Sequence, residues 1–150
     1  MDDNFYMKQA LVEARKAAER GEVPVGAIVV CKERIIARAH NLTETLTDVT
    51  AHAEMQAITA AASTLGGKYL NECTLYVTVE PCVMCAGAIG LARIPQVYFG
   101  ATNPKFGGTV SLYQILEDKR LNHRVQVESG ILEDECAKIM QDFFKNRRKK

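Results

Sequence analysis

The chain has 150 residues, 47% of them apolar and 25% charged, the size and make-up of one ordinary globular domain. That composition excludes disordered, collagen-like and low-complexity classes, and the longest apolar stretch, residues 23–31, is interrupted by Pro24 and Gly26 and too short to cross a bilayer. Nineteen basic against eighteen acidic residues leave a net charge of +1, which by itself argues neither for nor against a nucleic-acid partner.

In chain order, Met7, Leu11, Ala14 and Ala18 mark one face of an N-terminal helix that Gly21 ends. Residues 25–30 and 35–40 are apolar, β-branched runs joined by Cys31-Lys32-Glu33-Arg34, which predicts a hairpin. Thr50 is placed to N-cap a second helix through His52, Glu54, Met55, Ile58 and Ala61, ending at Gly66-Gly67. Residues 74–79 read as a strand, and Pro81 starts a third helix that ends near Arg93-Ile94-Pro95. Residues 96–101 form another strand, and residues 102–109, with Asn103, Pro104, Gly107 and Gly108, form a loop. Residues 125–128 are a last short strand, and Leu132, Cys136, Ile139, Met140 and Phe143 outline an amphipathic C-terminal helix. Strands alternating with helices after an initial hairpin predict an α/β fold, a three-layer α/β/α sandwich around a central mixed sheet of about five strands. With no repeat and no linker, residues 1–150 read as one domain with a basic tail at 145–150, where five of six residues are Lys or Arg.

The chain opens Met-Asp-Asp, acidic where a secretory signal is basic, so a cytoplasmic location is expected. Five cysteines in that setting do not read as a disulfide framework. Cys31, Cys73 and Cys136 read as small buried hydrophobes. Cys82 and Cys85 form a Cys-x-x-Cys at a predicted helix start, where free N–H groups and the helix dipole favour thiolate over thiol. His52 and Glu54 open another predicted helix. One imidazole with two thiolates is a donor set that selects zinc. Three protein ligands leave a fourth position for water, the pattern of a catalytic rather than a structural site. Zinc lowers the pKa of that water from about 15.7 to about 7, and Glu54 is placed to act as the base. Taken singly, the Cys-x-x-Cys is equally a redox pair, His52 a hydrogen-bonded polar residue, and Glu54 a first-turn glutamate answering the helix dipole. Together they favour metal chemistry. A closed structural zinc site needs a fourth ligand, for which His40, Cys73 and His123 are the candidates.

His52-Ala53-Glu54 followed by Pro81-Cys82-Val83-Met84-Cys85 resembles the signature of the zinc-dependent nucleobase deaminase superfamily, which includes the cytidine and deoxycytidylate deaminases. Within it the chain is similar, nearly end to end, to the bacterial tRNA-specific adenosine deaminases. The matching stretches are Glu22-Val23-Pro24-Val25-Gly26-Ala27, Thr50-Ala51-His52-Ala53-Glu54, residues 74–87, Asn122-His123-Arg124 and Asp142-Phe143-Phe144-Lys145. The resemblance implies a cytidine deaminase-like fold, one Zn2+ per subunit and a homodimer. It implies hydrolytic deamination of adenosine to inosine at the wobble position of a tRNA anticodon by zinc-activated water, with Glu54 as proton shuttle to N1 and to the departing ammonia. It further implies that Asn41 hydrogen-bonds the purine, that Pro24 and Val25 wall the base pocket, and that a loop with Asn103 and Lys105 meets nucleotides beside the base. Many members of the family carry aspartate where this chain has Asn103. Phe144 and Arg147 would stack on a splayed base and pair with phosphate; from sequence alone Asn41 reads as a turn residue, and the tail is either a solvated end or an RNA contact, with RNA favoured for Arg147 and Arg148 and both readings open for Lys149 and Lys150. The expected partner is a tRNA anticodon stem-loop, with no membrane and no DNA as natural substrate. The rival assignment is a deaminase of guanine or another free base or nucleoside, which has no need of a basic tail.

Overall fold

The structure, a computed structural model, describes residues 2–148. Its elements in chain order are α1 (Asp3–Glu19), β1 (Gly26–Cys31), β2 (Arg34–His40), α2 (Ala53–Leu65), β3 (Cys73–Val79), α3 (Val83–Leu91), β4 (Gln96–Ala101), a short 3-10 helix (Ile115–Glu117), β5 (Gln126–Glu128) and α4 (Glu133–Arg148). One five-stranded sheet runs β2-β1-β3-β4-β5. β1 is antiparallel to both β2 and β3, whereas β3, β4 and β5 are parallel, so the sheet is mixed as expected.

Successive side chains of a strand face opposite sides of the sheet, and here both sides are covered. Ala27, Val29, Leu75 and Val77 pack with Ala53, Ala57 and Ala61 of α2 and with Ala86 and Ile89 of α3. Ile28, Val30 and Tyr76 pack on the other side with Met7, Ala10 and Leu11 of α1 and Cys136 of α4. Three layers result, and two covered faces explain why β1 is apolar throughout rather than alternating. Complete burial of a side chain such as Leu75 or Phe99 contributes about 1.5–3 kcal/mol. α1 lies so close to the start of β1 that a Cβ on Gly26 would collide with the backbone of Ala10 and Ala14. Among the described residues no helix is long and apolar enough to cross a membrane.

Three local expectations shift. α1 buries Ala17 where Ala18 was expected; the helix ends at Glu19 with Arg20 as its C-cap, and Gly21, whose φ is 76°, follows the cap. α2 begins at Ala53 with His52 at the N-cap, not Thr50. The Asp48 Oδ1 accepts both the Thr50 N–H (2.8 Å) and the Thr50 hydroxyl (2.7 Å), so that hydroxyl serves a local turn and does not cap. α3 begins at Val83 with Cys82 at the N-cap, which leaves Pro81 ahead of the helix rather than inside it.

The strand pairing brings the start of β1 and the ends of β2, β3 and β4 to one edge of the sheet, through Gly26 beside His40, Ala27 beside Val77 and Val79 beside Ala101. The segments that leave or enter this edge carry Val25, Asn41, His52, Glu54, Cys82, Cys85, Asn103 and Lys105.

Candidate active site

Because His52 and Cys82 occupy N-caps, neither is committed to an intrahelical position, and neither side chain makes a capping bond. The His52 ring instead faces the start of α3. Its Nδ1 lies 3.6 Å from Cys82 Sγ and 3.5 Å from Cys85 Sγ. One donor atom from each of the three residues lies within 4.8 Å of the others. Two sulfurs and an imidazole nitrogen converging in this way fit a zinc ion by donor type. Among the described residues no fourth His, Cys, Asp or Glu joins the cluster. The three sequence candidates are engaged elsewhere. His40 Nδ1 is 3.0 Å from the Asn41 carbonyl oxygen, Cys73 stands in register with Cys31 at the far end of β1 and β3, and His123 Nε2 is 3.1 Å from the Ile94 carbonyl oxygen.

The electrostatics of the cluster separate its members. The Cys85 thiol donates to Cys82, and this bond, helped by His52, holds Cys82 down at about 4, a thiolate at neutral pH. The same bond, together with burial, pushes the Cys85 thiol up. His52 is raised by its bond to Cys82. Glu54, in the first turn of α2, is only 3% exposed and lies against Cys85. Burial pushes its carboxyl up to about 7, so it exchanges a proton near neutrality, as a general acid–base group requires.

The remaining candidates fall into three groups. Asn41 follows β2 directly and donates its backbone N–H to the Val25 carbonyl oxygen at 3.1 Å, so the two residues flank one another; the Asn41 side chain donates to the Thr43 hydroxyl at 3.2 Å. Asn103 and Lys105 lie on the loop after β4, which pairs with the α3 N-cap through a bridge between Cys82 and Gly107. Lys105 is exposed, whereas the Asn103 side-chain oxygen accepts the Phe106 N–H at 3.3 Å in a local turn. Phe144 and Arg147 form the third group. Phe144 packs edge-on against Phe143, with ring centroids 5.3 Å apart. The Arg147 guanidinium sits 4.9 Å above the Phe143 ring and donates to the Gly21 carbonyl oxygen at 3.5 Å, beside the segment that leads to Val25. α4 continues through Lys145 to Arg148, so the basic end begins as helix; Lys149 and Lys150 lie outside the described residues.

Sequence reasoning missed two buried residues at this edge, Glu22 and Glu80. Burial pushes the Glu80 carboxyl up, but bonds from Asn103, Ser111 and Val110 outweigh it and hold the group below the ordinary carboxylate value. Glu22 is held down likewise by bonds from Thr45 and Glu44. In sequence, a glutamate next to a strand reads as a solvated loop residue, and the signal that hinted otherwise was that both lie in stretches matching the deaminase family, Glu80 directly before Pro81-Cys82.

A family model described as MafB19-like deaminase matches residues 1–148. The chain is 52% identical over 149 residues, 99% of its own length and 94% of the relative's, to the tRNA-specific adenosine deaminase of Streptococcus pyogenes serotype M18 (strain MGAS8232). Its fold matches, with a TM-score of 0.87 and 48% identity, a chain from biochemical and structural studies of A-to-I editing by tRNA:A34 deaminases at the wobble position of transfer RNA, covering 90% of this chain and 98% of that one. A guanine deaminase from Bacillus subtilis matches less fully, with 39% identity, a TM-score of 0.65, and coverage of 68% of this chain and 66% of that one.

Proposed function

The chain belongs to the MafB19-like deaminases, and on that premise we propose that it is a hydrolase converting adenosine to inosine at the wobble position of a tRNA anticodon. The observation that carries this is a His52, Cys82 and Cys85 donor cluster with a buried Glu54 beside it, in a chain 52% identical over 99% of its length to a tRNA-specific adenosine deaminase. The likeness to the guanine deaminase of Bacillus subtilis is lower in identity, at 39%, and reaches only 68% of the chain.

The ion assigned to the cluster is zinc, one per subunit, held by His52, Cys82 and Cys85. Zinc bound there supplies a water acidified to a pKa of about 7, hence a nucleophile at neutral pH. Glu54 takes the proton of the water that adds at C6 and delivers it to N1 of the adenine. It then takes the second proton from the oxygen added at C6, which becomes the inosine carbonyl, and passes it to the exocyclic nitrogen as the C6–N bond breaks and ammonia leaves. Water and adenosine enter; inosine and ammonia leave. A carboxyl near 7 serves both the accepting and the donating step. The reacting base must leave its stack to reach these groups. Asn41 hydrogen-bonds the purine and Val25 walls the pocket, a reading supported by their pairing at the sheet edge. Asn103 and Lys105 meet the adjacent nucleotides, and Phe144 and Arg147 meet the RNA farther out. Apolar side chains left in solvent at Val83 and Leu91 on α3, and at Leu112 and Tyr113 in the loop after β4, support a homodimer. A tRNA substrate supports a cytoplasmic location, and the match of one family model to residues 1–148 supports a single deaminase domain.

The test is to incubate purified protein with total tRNA, free adenosine, guanine and cytidine in parallel and to measure inosine and ammonia. Inosine formed in tRNA is the expected result; product from the free bases alone overturns the assignment. Glu54→Gln in the same assay retains zinc and tRNA binding and loses about 10²–10⁴-fold in turnover. Near-normal turnover removes Glu54 from the proton transfers.

A further inference from the structure

Glu22 and Glu80 stand outside the donor cluster, yet each gathers donors from one of the two loops that flank it. Glu22 accepts the N–H groups of Glu44 (3.0 Å) and Thr45 (2.6 Å) and the Thr45 hydroxyl (2.6 Å). Glu80 gathers more. Its Oε1 accepts the Asn103 N–H at 3.0 Å and the Ser111 hydroxyl at 2.5 Å. Its Oε2 accepts the N–H groups of Thr109 (3.2 Å), Val110 (2.8 Å) and Ser111 (2.9 Å). An ionised carboxylate has no donor of its own and about four lone-pair sites, so these bonds saturate it. Bonds to a charged acceptor are roughly twice as strong as neutral ones. Among the described residues neither glutamate takes part in an ion pair. Their partners are loops, not cations.

We propose that Glu80 is a positioning residue for the deamination, fixing the loop 103–111 against the α3 N-terminus so that its outer side chains are held ready for the nucleotides beside the reacting base. This rests on the function assigned above. Glu80 lies two residues before Cys82, and Cys82 is itself bridged to Gly107 of the loop. Gly107 sits so close to Glu80 that a Cβ there would strike its carboxylate. The loop is therefore fastened to the candidate metal ligand on one side and to Glu80 on the other. Its inward N–H groups face Glu80, while Lys105 and Phe106, the latter 66% exposed, face out. Loosening such a support weakens the hold on the flanking nucleotides without touching the reacting atoms, so the loss falls on KM rather than on kcat.

Glu80→Gln keeps the shape but removes the charge and turns an amide N–H2 toward the loop's own donors. In the full-length zinc-loaded protein this variant is expected to retain zinc, to raise KM for an anticodon stem-loop RNA about tenfold, and to leave kcat within about threefold. Hydrogen exchange at the Thr109, Val110 and Ser111 amides should quicken about tenfold or more. Ser111→Ala, which removes one donor and leaves Glu80 intact, guards against a misfolded variant; it should raise KM a few fold, and the double variant should be no worse than Glu80→Gln alone. Unchanged KM in both single variants, or loss of zinc in step with activity, overturns the proposal. A fall in thermal stability with kcat and KM unaltered also overturns it, since it reduces Glu80 to a structural role. If the unmodified chain fails to deaminate tRNA, the function assignment falls, and the exchange measurement still decides whether Glu80 holds the loop.

Discussion

At the hairpin end of the sheet, Cys31 of β1 stands in register with Cys73 of β3, flanked by an exposed Lys32–Glu72 ion pair of 3.4 Å. At the opposite end, Cys82 and Cys85 meet His52 at the N-termini of α3 and α2. Both places pair two thiols close to charged groups. At the hairpin end burial dominates and pushes Cys73 up to about 12, so that thiol stays protonated and inert. At the other end a thiol donor, an imidazole and a backbone N–H converge on Cys82 and hold it at about 4. The difference teaches that cysteine chemistry in this chain is set by the donors aimed at the sulfur, not by the pairing of cysteines.

The sharpest way to break that contrast is to remove the members of each pair in turn by mutation. Cys82→Ser, Cys85→Ser or His52→Ala should release zinc and cut tRNA deamination by at least about 10⁴-fold. Cys31→Ser and Cys73→Ser should keep one zinc per chain and normal turnover, at a cost of about 1–3 kcal/mol in stability from a buried hydroxyl. Zinc content and inosine yield decide it; loss of zinc from Cys73→Ser would show that the hairpin end serves the metal after all.

Alkylation sharpens the same contrast. A pH of 6 lies above the Cys82 value of about 4 and far below the Cys73 value of about 12, so in metal-stripped protein Cys82 is ionised and Cys73 is not. Iodoacetamide at pH 6 should therefore label Cys82 at least about 100-fold faster than Cys73, and zinc added first should suppress the labelling. Equal labelling, read by peptide mass spectrometry, would contradict the ordering.

The smallest expected effect concerns the basic groups at the two ends. Deleting residues from Arg147 onward should weaken tRNA binding and lower its salt slope by about one for each phosphate that the tail no longer neutralises. Lys32→Ala and Arg34→Ala, at the hairpin end, should leave both unchanged. An unaltered slope after the deletion would make the tail a solvated end.

The layers of the fold and the donor set were legible in sequence for the same reason. Hydrophobic periodicity and ligand type are local properties, so Met7, Leu11 and Ala14 marked the buried face of α1, and His52, Cys82 and Cys85 announced a soft metal ligand set. Helix starts were less legible. Thr50 has the best N-capping chemistry in its segment, yet Asp48 competes for its hydroxyl, and the N-cap passes to His52. Asn103 shows the same limit, because its side-chain oxygen is engaged by Phe106 N–H, a turn geometry that residue type alone does not specify.

Residue types and spacing by themselves pointed to a soft metal donor set, a histidine and two cysteines with a glutamate nearby, and to an α/β/α frame to carry them; deamination entered with the resemblance of those motifs to a known family. Only the tertiary structure decided that His52 lies within 3.6 Å of sulfurs thirty residues away, and that Glu22 and Glu80 point inward rather than to water. The physical reason is that a carboxylate is stable in the interior only where distant N–H and O–H groups converge on it, and that convergence depends on how strands and loops pack, which no local pattern in the chain records.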